Sequence, residues 1–294
     1  MNIEKIMRNY AKLYCLEHVT AEQVMHHWNW ERQMRRELLA APAESRWEVF
    51  EDRYSRHYSE LFWLRDAPQP CHSQEWLDLI GKPSKKVFEI GSGKGGLIKA
   101  LADAGHECTG TEITRERGKR WVEDTNVRWH TTDGVHLDRF EPRDYYDFVI
   151  SNQVIEHMHP DDLQAHFEGV YAILRPGGRY IVATPHRFLG PCDVSCLFGS
   201  SECEGQHLKE YTYKEISALA KTAGFREVAA SLRFPHPVRR ISDRCKARAS
   251  RVYQGYLESI ETILDAVPTP VRRPVSQLAR SMYFRTTIYM AVLK

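Results

Sequence analysis

At 294 residues and 42% hydrophobic content, the chain is long enough for one large domain or two modest ones with a substantial core. Lys and Arg total 41 against 39 Asp and Glu, and the formal charge of +2 excludes a polyanion binder by bulk composition. Seven scattered cysteines form no paired framework of a small secreted domain; reduced thiols in a cytoplasmic protein are the simpler expectation.

The opening residues, MNIEKIMRNYAKLYCLEHVTAEQ, mix charges throughout and hold no unbroken apolar run, so neither a signal peptide nor a membrane span is expected. Residues 1–66 read as helices. Val24, Trp28, Met34, Leu38 and Leu39 recur at roughly helical spacing, and Thr20 with Gln23 three positions on predicts a capping box. A second, strongly aromatic helical segment, SRWEVFEDRYSRHYSELFWLR, follows Pro42. APQP (67–70) breaks it and GKPSKK (81–86) marks the next boundary. A helical region over 1–80 and a larger domain over 81–294 are therefore expected.

From Lys86 the pattern alternates strand and helix: KVFEIG, then GLIKALADAG, HECTGTEI, the polar helical stretch TRERGKRWVEDT, VRWHTTDG and YYDFVISN. PDDLQAHFEGVYAILRPGG begins with proline and acids and ends in glycines, as a helix prefers, and RYIVATP follows as a fifth strand. A further helix, YTYKEISALAKTAGF, and the strands REVAASLRF and TTIYMAVLK complete the pattern. This rhythm predicts an α/β fold, a Rossmann-like, seven-stranded and mostly parallel sheet with helices on both faces. A helical insert over 235–285 is expected before the last strand.

The first strand ends in VFEIGSGKGG, residues 87–96. Glycines there permit positive φ and close approach of backbone to a ligand, and the following helix N-terminus offers unpaired N–H groups. Glu112 ends the second strand, where an acid accepts from ribose hydroxyls, and Asp133 ends the third, where it can accept from an adenine amino group. Asn152 and Gln153 lie at the carboxyl edge of the fourth.

VFEIGSGKGG, GTEI, TTDG, YDFVISNQVIEHM and LRPGGRYIVATP occur in the order and spacing of class I S-adenosylmethionine-dependent methyltransferases. The chain resembles that family over about 87–231, and within it the subgroup acting on small molecules, ubiquinone-type and sugar methyltransferases included. An NAD-binding Rossmann protein is the rival, since GSGKGG satisfies both glycine patterns; LRPGG and the other downstream pieces favour the methyltransferase. The resemblance implies S-adenosyl-L-methionine as cofactor. Glu89, Gly91, Ser92, Gly93 and Gly95 would wrap its methionine part, and Glu112 with Ile113 would hold the ribose side. Asp133 and Gly134 would serve the adenine, and Asn152 and Gln153 the neighbourhood of the sulfonium.

Methyl transfer to a hydroxyl needs a base at the carboxyl edge. His207, in EGQHLKEYTYKE, and His186, after the fifth strand, rank first; His157, in IEHM, ranks third, and His166 reads as a surface residue in mid-helix. Glu210 and Thr212 read as caps of the following helix. Cys192, Cys196 and Cys203 supply a single C-x3-C and a third thiol seven residues on, which falls short of paired zinc knuckles; no metal site is expected. Residues before the first strand commonly fold over the cofactor in this family, and Tyr54, Arg56 and Tyr58 are the candidate contacts to substrate or to the methionine carboxylate. Between Arg233 and Arg285 stand eleven Lys and Arg against four acids, a run able to meet an acidic substrate or a membrane surface as well as solvent. Nothing resembles an RNA-binding module. The expected activity is O-methylation of a small-molecule or glycan-type acceptor. N-methylation of an amine, or a non-catalytic cofactor- or nucleic-acid-binding protein, stands as the alternative.

Overall fold

In the computed structural model, the structure describes residues 2–65, 73–114, 117–118, 122–232, 247–279 and 285–294. Four helices come first: α1 (Ile3–Leu13), α2 (Ala21–Leu39), α3 (Arg46–Glu60) and the short α4 (Phe62–Arg65). The expected capping box is present: Gln23 N–H donates to Thr20 Oγ1 at 3.1 Å and Thr20 N–H donates to Gln23 Oε1 at 2.9 Å. Next come α5 (Gln74–Ile80), β1 (Lys86–Ile90), α6 (Gly96–Asp103), β2 (Glu107–Glu112), β3 (Arg128–Thr131) and β4 (Tyr146–Asn152). α7 (Leu163–Ile173), β5 (Leu174–Pro185), α8 (Tyr213–Thr222) and β6 (Glu227–Leu232) follow. The chain ends with β7 (Arg248–Ser250), α9 (Arg251–Ala266), α10 (Thr269–Ala279) and β8 (Thr287–Leu293). Of the helix expected within 114–125, residues 115–116 and 119–121 lie outside the described residues.

The strands form one sheet in the order β3-β2-β1-β4-β5-β8-β6-β7. β1 to β5 are parallel, and β8 enters antiparallel between β5 and β6. The described sheet has eight strands where the sequence suggested seven. The extra one, β7, is extended chain inside the expected insert and pairs antiparallel with β6 at the edge, Ala230 opposite Ser250. Ser250 then accepts from Tyr253 N–H at 3.2 Å and starts α9.

Alternation along the strands splits the core into two faces. Phe88, Val149, Tyr180 and Val182 pack with Phe167 and Val170 of α7, Ile216 of α8 and Leu257 of α9. Val87, Phe148, Ile150 and Ile181 point the other way, onto Trp76 and Ile80 of α5 and Ile98 and Leu101 of α6. The chain runs outward from β1 through β2 to β3, then returns to start β4 on the other side of β1. The carboxyl ends of β1 and β4 therefore flank the crevice in which open α/β sheets bind ligands.

The N-terminal helices cover that edge. Met34 and Leu38 of α2 with Phe50 and Tyr54 of α3 form a small core that includes Leu208 and touches Ile113. Ile6, Tyr10, Val24 and Trp28 pack against Val194, and Trp28 stacks on Phe198 with ring centroids 4.5 Å apart. No described helix is long and apolar enough to cross a membrane.

Candidate functional site

β1 delivers Glu89 to the crevice, and the chain then turns at Gly91 with φ +63°. A Cβ there would lie 2.7 Å from Val154 Cγ2, so the turn admits only glycine without displacement. Ser92 ties the loop to β2: its N–H donates to Thr111 O at 2.8 Å, and its hydroxyl accepts from Thr111 N–H at 3.2 Å. Gly93, with φ +59°, donates its N–H to Glu112 Oε1 at 2.7 Å. Gly95 precedes the first turn of α6, whose N-terminus faces the same crevice.

Both acids of this cradle are buried. Burial pushes the Glu89 carboxyl up to about 8, with the nearby Glu112 adding to the effect, and its Oε2 has no hydrogen-bond partner. Burial pushes Glu112 up to about 7 against the two backbone N–H groups, Gly93 and Ile113, that favour its ionised form. Arg117 stands 3.9 Å from Glu112, and its guanidinium lies over the Tyr58 ring at 4.3 Å.

Asp133 is held by its own turn: it accepts from Val135 N–H at 2.8 Å and His136 N–H at 2.9 Å, and pairs with His136 Nδ1 at 2.9 Å. Gly134 presents its carbonyl to His166 Nδ1 at 2.5 Å, while His166 Nε2 meets the Tyr180 hydroxyl at 2.9 Å. His166 is thus fully buried beneath the third strand's loop and is not the surface residue expected. Gln153, just past Asn152, adopts φ +58° and donates its N–H to Ala183 O at 2.8 Å.

On the acceptor side, Glu156 is wholly buried. Its Oε2 accepts from the Thr184 hydroxyl at 2.9 Å, its Oε1 has no partner, and burial pushes the carboxyl up to about 7. The Glu156 carbonyl accepts from Leu208 N–H at 2.7 Å, which docks the 206–209 segment onto the residues after β4. His157 and His207 are thereby brought together, ring centroids 4.9 Å apart at 76°. His157 is pulled down to about 3, by burial first and by His207 second. His207 goes the other way. Burial opposes its charge, but Glu210, at 2.9 Å from Nδ1, together with Glu156 and Asp193 holds it above the ordinary imidazole range.

His186 is placed differently. Its Nε2 meets Glu261 at 2.8 Å and its Nδ1 accepts from Phe188 N–H at 3.1 Å. Glu261 also accepts from Tyr213 N–H and Lys214 N–H at 2.6 and 3.0 Å, so this pair fastens α9 to the start of α8. Thr212 caps α8 in a reciprocal box with Glu215. Glu210 does not cap that helix; besides His207, it accepts from Cys192 N–H at 2.7 Å.

Helical phase sorts the three lid candidates. Tyr54 and Tyr58 share one face of α3, four residues apart, and turn toward the crevice. The Tyr54 ring meets His157 edge-on at 6.3 Å, and its hydroxyl is buried without a hydrogen-bond partner. Arg56 lies on the outer face, exposed and paired with Asp52 at 3.1 Å. A second polar layer backs the lid. His27 and Glu31 contact at 2.6 Å, Tyr10 hydroxyl meets His27 Nδ1 at 2.8 Å, and Gln206 N–H donates to Glu31 at 3.1 Å. Sequence reading missed Glu31, Glu156, Asp193, Arg117 and His136. His27 and Glu31, an imidazole and an acid four apart on one helix, carried the one local signal among them. Of the basic run between Arg233 and Arg285, residues 233–246 and 280–284 lie outside the described residues.

These groups fit an adenosyl sulfonium cofactor. The glycine turn leaves backbone bare where a Cβ would intrude, and three buried polar atoms around the strand ends, on Glu89, Tyr54 and Glu156, await partners. Comparison with known proteins points the same way. Residues 64–230, over half of the chain, match the family model described as Methyltransferase domain. A Mycolicibacterium smegmatis protein named "Probable S-adenosylmethionine-dependent methyltransferase" is 30% identical over 146 residues, covering 48% of this chain and 52% of that one. The chain thus spans about half the length of this curated relative. Burkholderia thailandensis 1,6-didemethyltoxoflavin-N1-methyltransferase, solved with bound 1,6-didemethyltoxoflavin and S-adenosylhomocysteine, superposes with a TM-score of 0.51 at 16% identity. That match covers 86% of this chain and 91% of the other, and shows a shared fold.

Proposed function

The chain belongs to the class I S-adenosylmethionine-dependent methyltransferases, and from that premise we propose that it methylates a hydroxyl of a small-molecule or glycan-type acceptor. The observation that carries this reading is the buried His207–Glu210 pair, 2.9 Å apart, beside His157 and Glu156 at the sheet's carboxyl edge. When bound in the crevice, S-adenosylmethionine supplies a methyl carbon made electrophilic by its sulfonium. The protein's part is to bind, align and manage one proton.

Glu112, its two oxygens already oriented by the Gly93 and Ile113 N–H groups, would accept the ribose hydroxyls. The 91–95 loop and Glu89 would hold the cofactor's methionine part. Asp133, paired with His136, would hold the adenine amino group. Glu210 holds the Nδ1 proton of His207 and leaves Nε2 with the lone pair that takes the acceptor's proton, the logic of a carboxylate-oriented histidine base. The imidazolium so formed is stabilised by Glu210, Glu156 and Asp193, while His157, held near 3, stays neutral and adds no opposing charge. Tyr54 and the helices behind it exclude water from the reacting groups. His186 is a structural tie of α9 to α8 in this scheme, and Arg56 takes no part.

Incubating the protein with methyl-labelled cofactor and a panel of hydroxylated metabolites, glycans and amines tests this. Label on a hydroxyl is expected, and His207→Ala should lower kcat by about 10²–10⁴-fold, the usual share of a general base. Label confined to amines would replace O- by N-methylation. Cofactor binding with no transfer to any acceptor would make the chain a binding protein.

A further inference from the structure

The loop between β5 and α8 holds three thiols, Cys192, Cys196 and Cys203, none of them in a disulfide. Their spacing alone gave one C-x3-C pair, too little for a metal knuckle. Folding adds what the spacing lacked. Asp193, Cys203 and His207 each bring a ligand-type atom to within 4.8 Å of the others. Ligands on a tetrahedral ion, at bonds of about 2.0–2.3 Å, stand roughly 3.3–3.8 Å apart, so modest side-chain rotation closes the set.

The surrounding backbone is shaped around these groups. Asp193 accepts from Ser195 N–H at 3.0 Å and Gly205 N–H at 2.9 Å, and a Cβ on Gly205 would lie 2.7 Å from its Oδ2. Glu210 orients His207 from behind, as carboxylates do for ligating histidines. Charge also argues for a cation. Glu31, Glu156, Asp193 and Glu210 are each at most 5% exposed, yet they converge on the same few residues.

We propose that Asp193, Cys203 and His207 form a site for a divalent ion of the Zn²⁺ class, and that the ion inhibits methyl transfer by occupying the lone pair of His207. Thiolate, imidazole and carboxylate together suit such a borderline ion better than Mg²⁺ or Ca²⁺. On binding, Cys203 releases its proton to solvent as the sulfur–metal bond forms, and Asp193 and His207, where protonated, release theirs too; nothing is oxidised or reduced. Neutral imidazole has one lone pair, and an ion that takes it leaves none for a proton. The inhibition rests on His207 as the base. The site does not.

The test is titration of metal-free protein with Co²⁺, whose thiolate charge-transfer absorption reports sulfur ligation, followed by displacement with Zn²⁺. One equivalent with a thiolate band is expected, and C203S and the isosteric D193N, each checked for folding by circular dichroism, should bind at least tenfold more weakly. Zn²⁺ should lower turnover on the acceptor found in the labelled-methyl screen at least tenfold, reversibly with a chelator. No thiolate band in the wild type, or wild-type affinity in both variants, overturns the site. A thiolate-ligated ion that leaves turnover unaffected overturns the inhibition and the base assignment of His207, while the site stands.

Discussion

Replacing Glu112 with Gln should flatten the pH dependence of cofactor binding. Burial holds this carboxyl at about 7 in the ligand-free protein, and ribose hydroxyls are best accepted by its ionised form. With a folded pKa raised to about 7, the group is neutral below that value and ionised above it. Affinity is therefore fullest at higher pH and is lost as pH falls through 7. At pH 8 about ten in eleven molecules are ionised, and at pH 6 about one in eleven, so Kd for S-adenosylhomocysteine should rise about tenfold between them, ~1.4 kcal/mol. Isothermal titration calorimetry at the two pH values measures this directly. Glu89→Gln should keep the slope, because Glu89 is assigned to the methionine part and not to the ribose. A wild-type Kd that does not move, or an E112Q variant that keeps the slope, would refute the assignment of Glu112 to the ribose.

Gly91→Ala adds a Cβ 2.7 Å from Val154 Cγ2 at a φ of +63°, where an L side chain costs about 1–2 kcal/mol before any clash; calorimetry should show at least tenfold weaker cofactor binding. Glu31→Ala leaves His27 Nε2 and Gln206 N–H without their partner at a site with 1% exposure and should cost about 1–3 kcal/mol in urea unfolding. In the wild type Glu31 is held down to about 2, where His27 overcomes the burial that favours the neutral form. Its stabilisation is therefore present above the ordinary 4.5 and lost as pH falls toward 2. Glu89 works in the opposite sense. Its folded value near 8 means the folded state binds the extra proton between 4.5 and 8, so ligand-free stability should decline as pH rises through that window. Glu112 and Glu156, each pushed up to about 7, add to the decline below 7, so E89Q should shrink it in thermal melts, most clearly between pH 7 and 8. His186→Ala, by cutting the tie to Glu261, should lower the melting temperature without the kcat loss expected of His207→Ala.

Local rules carried the sequence reading wherever contacts are local. Strand alternation and the glycine turn place Glu89, Gly93 and Glu112 by spacing along the chain, and all three meet at one edge. Phase on a helix was equally legible yet passed over. Leu163, Phe167 and Val170 mark the inward stripe of α7, and His166 falls on it, one position from Phe167, which is why it is buried. The same arithmetic turns Tyr54 and Tyr58 inward and Arg56 out. The acceptor side obeys no such rule. Glu31 comes from α2, Glu156 from the turn after β4, and Asp193, His207 and Glu210 from one long loop, so their meeting depends on how the lid docks on that loop. No spacing encodes it. Yet four buried acids around two imidazoles are costly unless something compensates them. A proton accepted during methyl transfer and a divalent ion are the two compensations this cluster offers. They compete for one imidazole, which is why the ion titration and the His207 variant bear on the same question.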